Sequence, residues 1–286
     1  MKPKAQQLMT AVRAALRAGE EIMAIYTHPE TDWEVERKAD NSPLTLADRR
    51  AHATIASLLE GTPWPLLSEE GAHAPYADRE GWDTLWVVDP LDGTKEFLKR
   101  NGEFTVNIAL VHAGVPVAGV IYVPVRDVLY VGAAAGWAAE DRSLALRLEN
   151  AATLCPDTPD ELSAKAEDLT RRRRKERPYR VVASRSHLNA ETQAWIDRKQ
   201  EELGQAVELC SAGSSLKLCL LAEREADAYP RLAPTMEWDT AAGDAILRAA
   251  GGRTLRMDGA EPAGQPLAYN KPDLHNPFFL AEAADQ

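Results

Sequence analysis

The chain has 286 residues, 45% of them hydrophobic, with 44 acidic side chains against 33 basic ones and a net charge of −11 at pH 7. That size supports one large or two mid-sized cores, and the acidic balance argues against broad nucleic-acid binding. No stretch approaches the roughly 20 apolar residues of a membrane helix, and Met1 to Gln7 lacks the apolar core of a secretory signal, so a cytoplasmic protein without stable membrane insertion is expected. Cys155, Cys210 and Cys219 form no C-x-x-C pair and read as free thiols of a reducing compartment. Six scattered histidines include no H-E-x-x-H, which argues against a protease-type zinc site.

In chain order, residues 5–27 place Leu8, Val12, Ala15, Leu16, Ile22 and Tyr26 at helical spacing. Residues 34–38 alternate as a strand before a polar loop. A second helix puts Ala47, Ala51, Ile55, Leu58 and Leu59 on one face and ends at Gly61. Thr45 and Asp48 open it in capping-box register, so the plainest role of Asp48 is a cap. Residues 65–68 form a short strand delivering Glu69 and Glu70. Leu85 to Val88 is a buried strand running into Asp89, where Pro90 stops ladder pairing. Residues 104–111, 115–123 and 128–132 form an antiparallel meander. Residues 150–178 mark a shift in composition and end in the run Arg171 to Lys175, expected to be a solvated linker. Strands and helices then alternate: strands at 179–184, 207–210, 227–229, 254–257 and 278–281, helices at 190–203, 214–223 and 240–250. Such alternation predicts an α/β layer with a parallel or mixed sheet. The expected division is an α+β domain over 1–150 and an α/β domain over 151–286.

The stretch from Leu85 to Phe97 carries the chemistry. Two carboxylates, Asp89 and Asp92, stand at the mouth of a buried strand and repel each other unless a cation lies between them. Hard divalent cations take such oxygen ligands, and the carbonyl of Leu91 can add another. Gly93 permits a tight turn and Thr94 can cap the following helix, while the free N–H groups of both suit a phosphate. An ordinary Asp-Pro/Asp-Gly surface turn uses the same residue types. A second acidic centre, Met236 to Asp244, sets Asp239 in the first turn of a helix, where it is equally well placed to complement the macrodipole or to hold a metal. The small residues behind it allow close packing of that helix.

In this order, Ser68-Glu69-Glu70, Asp89-Pro90-Leu91-Asp92-Gly93-Thr94 and Trp238-Asp239-Thr240-Ala241-Ala242-Gly243 resemble the motifs of the inositol monophosphatase superfamily of metal-dependent, lithium-sensitive phosphatases. Lys95-Glu96-Phe97, the segment Lys99 to Asn107, Ser184-Arg185-Ser186-His187, Gly213-Ser214-Ser215-Leu216-Lys217 and Tyr229-Pro230-Arg231 look like the bacterial 3′(2′),5′-bisphosphate nucleotidases of that superfamily. The resemblance spans roughly residue 34 to the end, and the Arg-rich run matches none of it.

The resemblance implies a layered α-β-α-β-α sandwich, with an antiparallel N-terminal sheet, a mixed C-terminal sheet and the site between them. It implies that Glu69, Asp89, Asp92, Asp239 and the carbonyl of Leu91 hold two or three Mg²⁺ ions. Thr94, backed by Asp48, activates a metal-bound water, so the catalytic set is Thr94, Asp48, Glu69 and Asp92. Gly93, Thr94, Gly213, Ser214, Lys217, Arg231 and Asp239 face the phosphates, and Ser184 and His187 the base. The implied reaction removes the 3′-phosphate of adenosine 3′,5′-bisphosphate, with the sulfated analogue as a second substrate, and clears a by-product of sulfate assimilation. The rivals are the same chemistry on an inositol phosphate or fructose bisphosphate, a non-catalytic nucleotide sensor, and an RNA contact through Arg171 to Lys175. A small-molecule nucleotide is the expected partner; monomer and homodimer both stay open.

Overall fold

The structure is a computed structural model and describes all residues except 1–2, 29–32, 34, 38–42, 138–140, 184–188, 260 and 285–286. Helix α1 (Pro3–Tyr26) buries Leu8, Val12, Ala15, Ile22 and Ile25 along one stripe. The two-residue strands β1 (Glu36–Arg37) and β2 (Pro43–Leu44) pair antiparallel ahead of α2 (Leu46–Leu59), which buries Ala47, Ala51, Ile55 and Leu59. Both helices cover one face of a seven-stranded sheet. Its strands are β3 (Leu66–Ser68), β4 (Thr84–Asp92), β5 (Thr105–His112), β6 (Val115–Val123), β7 (Val128–Ala133), β8 (Leu144–Glu149) and β9 (Glu167–Asp168), in that spatial order. Only β3 and β4 run parallel. The short helices α3 (Tyr76–Arg79), α4 (Thr94–Leu98), α5 (Ala151–Leu154) and α6 (Pro159–Lys165) lie between these strands in sequence.

The sheet is apolar on both faces, which is why its strands read as continuous hydrophobic runs. Trp86, Val88, Ile108 and Val120 pack with α1 and α2. Leu85, Val87, Ala109 and Ile121 pack on the opposite side, against α8 (Leu216–Ala222) and α9 (Glu237–Ala249). Beneath these helices lies a second sheet, with strands in the order β11 (Glu208–Cys210), β10 (Arg180–Val182), β12 (Ala228–Arg231), β15 (Phe279–Glu282), β13 (Arg253–Asp258) and β14 (Glu261–Pro266). It is mixed: β10 runs parallel to β11 and β12, and the other pairs are antiparallel. Helix α7 (Ala190–Leu203) closes the stack, laying Trp195 and Ile196 on Val181, Ala228 and Leu280. The five layers are the α-β-α-β-α sandwich expected from the sequence motifs.

Helix α9 approaches the first sheet through glycines. A Cβ on Gly119 would lie 2.3 Å from the Ala242 carbonyl oxygen, and one on Gly132 would lie 2.4 Å from the Ile246 Cα. Gly243 in turn faces Leu218 of α8, whose Cδ1 would be 2.4 Å from an added Cβ. Gly119→Ala is therefore expected to cost about 3 kcal/mol or more, since the clash is with helix backbone that cannot rotate away. Chemical denaturation of the variant measures it, and an unchanged midpoint would contradict the packing.

Residues 150–178 differ from the solvated linker expected of them. The segment adds β9 to the edge of the first sheet and buries Leu162 and Leu169 in the two cores. Those isolated leucines anchor a stretch whose composition is otherwise polar. Strands β8 and β14 were not anticipated; every residue of β14 is exposed, so no hydrophobic alternation marks it.

Candidate active site

Strand β4 does not end at Asp89. It continues through Asp92, with Asp89 opposite Asn107 and Asp92 opposite Thr105, so the strand carries one extra residue in a bulge. Pro90, which has no N–H to donate, falls inside that bulge and interrupts the ladder without ending it. The Leu91 N–H turns inward to Asp89 Oδ1 at 3.1 Å. Gly93, at φ +93°, swings the chain into α4, a conformation only glycine adopts without strain. Thr94 is the first residue of α4 rather than its cap. Its hydroxyl donates instead to Asp48 Oδ1 at 3.2 Å and lies 3.4 Å from the Leu91 carbonyl oxygen.

Asp48 serves two partners through separate oxygens. Its Oδ2 accepts from the Thr45 N–H at 2.7 Å and from the Thr45 hydroxyl at 2.5 Å, and its own N–H completes the capping box at 3.4 Å. The other oxygen is left for Thr94.

Asp239 arrives from the opposite half on α9, with Oδ2 accepting the Met236 N–H at 2.8 Å. Carboxylate oxygens of Asp89, Asp92 and Asp239 all lie within 4.8 Å of one another. Glu69 joins them from the end of β3, where its N–H bonds the Val88 carbonyl at 3.0 Å and its carboxyl meets that of Asp89. Two like charges about 5 Å apart repel by about 3 kcal/mol at an effective dielectric of about 20. Burial, reinforced by Glu69, Asp92 and Asp239, accordingly lifts the Asp89 carboxyl well above the ordinary carboxylate range. Burial and the charge of Asp92 push Asp239 up to about 7, against the opposing pull of the Met236 N–H and Arg231. A cluster of hard oxygen donors with no thiolate or imidazole fits a divalent cation of the Mg²⁺, Mn²⁺ or Ca²⁺ kind.

Facing these acids is a cleft of about 80 Å³, lined by Asp92, Asp239, Ser214, Lys217, Tyr229 and Arg231 among others. Lys217 Nζ donates to the Ser214 carbonyl at 3.0 Å and Arg231 Nη2 to the Pro234 carbonyl at 3.0 Å. The Arg231 Nε is buried and has no acceptor among the described residues. A Cβ on Gly213 would lie 2.6 Å from the Glu103 carbonyl oxygen, so no larger residue fits there. Ser184 and His187, expected at the base, lie outside the described residues. His52 and His73 both hold Ser68, at 2.9 Å to its hydroxyl and 2.9 Å to its carbonyl, and thereby brace the strand that presents Glu69.

Thr105, Asn107 and Ser215, which surround Asp92, enter the sequence motifs only as members of the segments 99–107 and 213–217, with no individual role. The signal was present: polar residues recur at alternate positions 103, 105 and 107 on a strand that is otherwise apolar.

Most of the arginine run is paired with acids. Arg172 pairs with Glu167 and Glu225, Lys175 with Glu225, Arg171 with Asp168, and Arg174 with Asp227. Glu225 and Asp227, just beyond α8 and some fifty residues further on, take Arg172, Arg174 and Lys175, while Glu167 and Asp168 lie next to the run in sequence.

A layered sandwich with a carboxylate cation centre open to a basic cleft defines a metal-dependent phosphatase. A profile of the inositol monophosphatase family matches residues 4–283, and the chain belongs to that family. It is 41% identical over 268 residues to the 3′(2′),5′-bisphosphate nucleotidase CysQ of Escherichia coli K12, covering 93% of this chain and 95% of that one. The CysQ of Salmonella typhimurium is 44% identical over 242 residues, covering 83% and 85%. The crystal structure of CysQ from Bacteroides thetaiotaomicron superposes with a TM-score of 0.84 at 50% identity, covering 99% of this chain and 98% of that one. Enzymes of the family use divalent metals, which the acidic cluster fits. Among the described residues, no helix is long and apolar enough to cross a membrane.

Proposed function

We propose that the chain is a Mg²⁺-dependent 3′(2′),5′-bisphosphate nucleotidase that hydrolyses adenosine 3′,5′-bisphosphate to AMP and phosphate and also accepts the sulfated analogue. The observation that carries the substrate reading is the placement of Lys217 and Arg231 in the same cleft as Asp92 and Asp239. Two cations beside the cation centre suit a second phosphate that is bound but not cleaved, a group that an inositol monophosphate lacks.

Glu69, Asp89, Asp92, Asp239 and the Leu91 carbonyl would hold two or three Mg²⁺ ions. When bound, such ions lower the pKa of water, clamp phosphoryl oxygens and offset charge on the leaving oxygen. The chain's own residues then divide the remaining work. Gly93 and Thr94 offer N–H groups to the phosphate that is attacked. With its proton directed at Asp48 Oδ1, the Thr94 hydroxyl presents a lone pair to the attacking water. As the water attacks phosphorus, its proton passes to Thr94 Oγ1 while the threonine proton moves to Asp48. The ribose oxygen leaves with a proton from solvent. No histidine base is required.

Phosphate release from adenosine 3′,5′-bisphosphate, inositol 1-phosphate and fructose 1,6-bisphosphate, with and without Mg²⁺, tests the reading. Selective, Mg²⁺-dependent turnover of the nucleotide is expected. Lys217→Ala should raise KM for the nucleotide about 10-fold or more, by removing a charge-assisted contact of about 1.5–3 kcal/mol, and leave any turnover of inositol 1-phosphate nearly unchanged. Faster turnover of the sugar or inositol ester would transfer the assignment to that substrate, and nucleotide binding without turnover would make the protein a sensor.

A further inference from the structure

Three residues on one face of the Glu103–Asn107 segment grip three consecutive residues ahead of α8. Glu103 Oε2 accepts the Gly213 N–H at 2.9 Å. The hydroxyls of Thr105 and Ser214 meet at 2.9 Å, and Asn107 Nδ2 donates to Ser215 Oγ at 2.7 Å. The Ser215 hydroxyl then donates to Asp92 Oδ2 at 2.6 Å, with the Asp239 carbonyl oxygen a longer acceptor at 3.0 Å, and Asn107 Nδ2 lies 3.3 Å from the same Asp92 oxygen. Thr105, Asn107 and Ser215 are buried.

Elementary donor counting gives this chain one direction. Ser215 commits its one proton to the acid side, so its oxygen is left to accept, and the Asn107 amide turns its NH₂ toward Ser215 and its Oδ1 away. That Oδ1 accepts the single Thr105 hydroxyl proton at 2.9 Å. Thr105 therefore has no proton left for Ser214, and Ser214 must be the donor between them. The relay runs from Ser214 to Thr105, Asn107, Ser215 and finally Asp92.

We propose that Thr105 and Asn107 are positioning residues that couple the substrate segment Gly213–Ser215 to the metal carboxylate Asp92. The inference rests on the phosphatase reading above and adds two consequences. Asp92 Oδ2 is fixed by a buried relay whose far end lies in the other half of the molecule, so occupancy of the cation centre and of the cleft reinforce each other. Ser214, its proton already committed, offers a ligand only a lone pair. The retained phosphate is then held by Lys217 and Arg231, and the ligand group that meets the Ser214 hydroxyl is a donor such as a ribose hydroxyl or an amine.

The test uses the full chain freed of metal, titrated with Mg²⁺ by calorimetry, together with KM for adenosine 3′,5′-bisphosphate at saturating Mg²⁺. Thr105→Val keeps the shape and the backbone pairing opposite Asp92 but removes the hydroxyl, which reaches the Asp92 carboxylate only through Asn107 and does not line the cleft. It is expected to weaken Mg²⁺ binding about 10-fold, the scale of outer-sphere partners, and to raise KM, while Thr105→Ser restores both to within about 2-fold. A merely structural role would lower the melting temperature without moving the Mg²⁺ affinity. Unchanged Mg²⁺ affinity in Thr105→Val, beside a wild type that binds Mg²⁺ and turns over the nucleotide, overturns the coupling alone. A wild type that binds no Mg²⁺ overturns the phosphatase reading and the coupling with it. Should Thr105→Val not fold, Thr105→Ala removes the same hydroxyl with less bulk and is read in the same way.

Discussion

Asp89→Asn is expected to lower kcat/KM for adenosine 3′,5′-bisphosphate by about 10³-fold, about 4 kcal/mol of transition-state stabilisation, while making the metal-free protein more stable. The two effects share one cause. Asp89 is buried among Glu69, Asp92 and Asp239, and without a cation that environment opposes its charge. An amide of the same shape removes the repulsion, keeps the oxygen that accepts the Leu91 N–H, and deprives the cation of a charged ligand. Melting curves in EDTA should therefore shift upward for the variant. Added Mg²⁺, which stabilises the wild type by mass action, should stabilise the variant far less. A variant that melts lower in EDTA and still gains as much from Mg²⁺ as the wild type would refute the role given to Asp89.

The second large effect lies away from the cleft. Asp227→Asn should destabilise the fold by about 3 kcal/mol or more, because removing one member of a buried ion cluster leaves the others uncompensated. Asp227 accepts from Arg174 Nε at 2.6 Å, Arg177 Nη1 at 2.5 Å and the Arg180 N–H at 2.6 Å. Burial by itself raises its pKa, but the hydrogen bonds from Arg174 and Arg177 prevail and hold it below the ordinary value. A carboxyl whose folded pKa is depressed adds stability above its unfolded pKa and loses it as pH falls through the folded one. The wild type should thus lose this contribution only below about pH 4. The variant should lack it at neutral pH, with a melting temperature lower by roughly 6–12 °C for a chain of this size. Because Asp227 stands outside the cleft, kcat at a temperature where the variant is folded should match the wild type.

Local chemistry made much of this legible beforehand. The capping box of Thr45 and Asp48, the meander from β5 to β7 and the strand–helix alternation after residue 179 follow from patterns within a dozen residues. The approach of α9 to the sheet was foreshadowed by Ala241, Ala242 and Gly243, though its partners Gly119 and Gly132 were not. What stayed hidden depends on partners far apart in sequence. Glu225 and Asp227 pair with Arg172, Arg174 and Lys175 across some fifty residues, a match that the run alone does not reveal. Asn107 and Ser215 are over a hundred residues apart, and the alternation around Asn107 marks it as polar without showing which partner it meets. Pro90 misled in another way. Its missing N–H is a sound reason to end a strand, but a bulge places that residue where no N–H is needed.

The glycine-lined docking of α9 also sets a schedule. Asp89 and Asp92 leave the ribosome roughly 150 residues before Asp239, an interval on the order of ten seconds during synthesis. Until α9 seats on Gly119 and Gly132, the N-terminal sheet can form with only part of its negative charge assembled. The acidic cluster is completed by one of the last helices to emerge, and cellular cations can meet it as it closes.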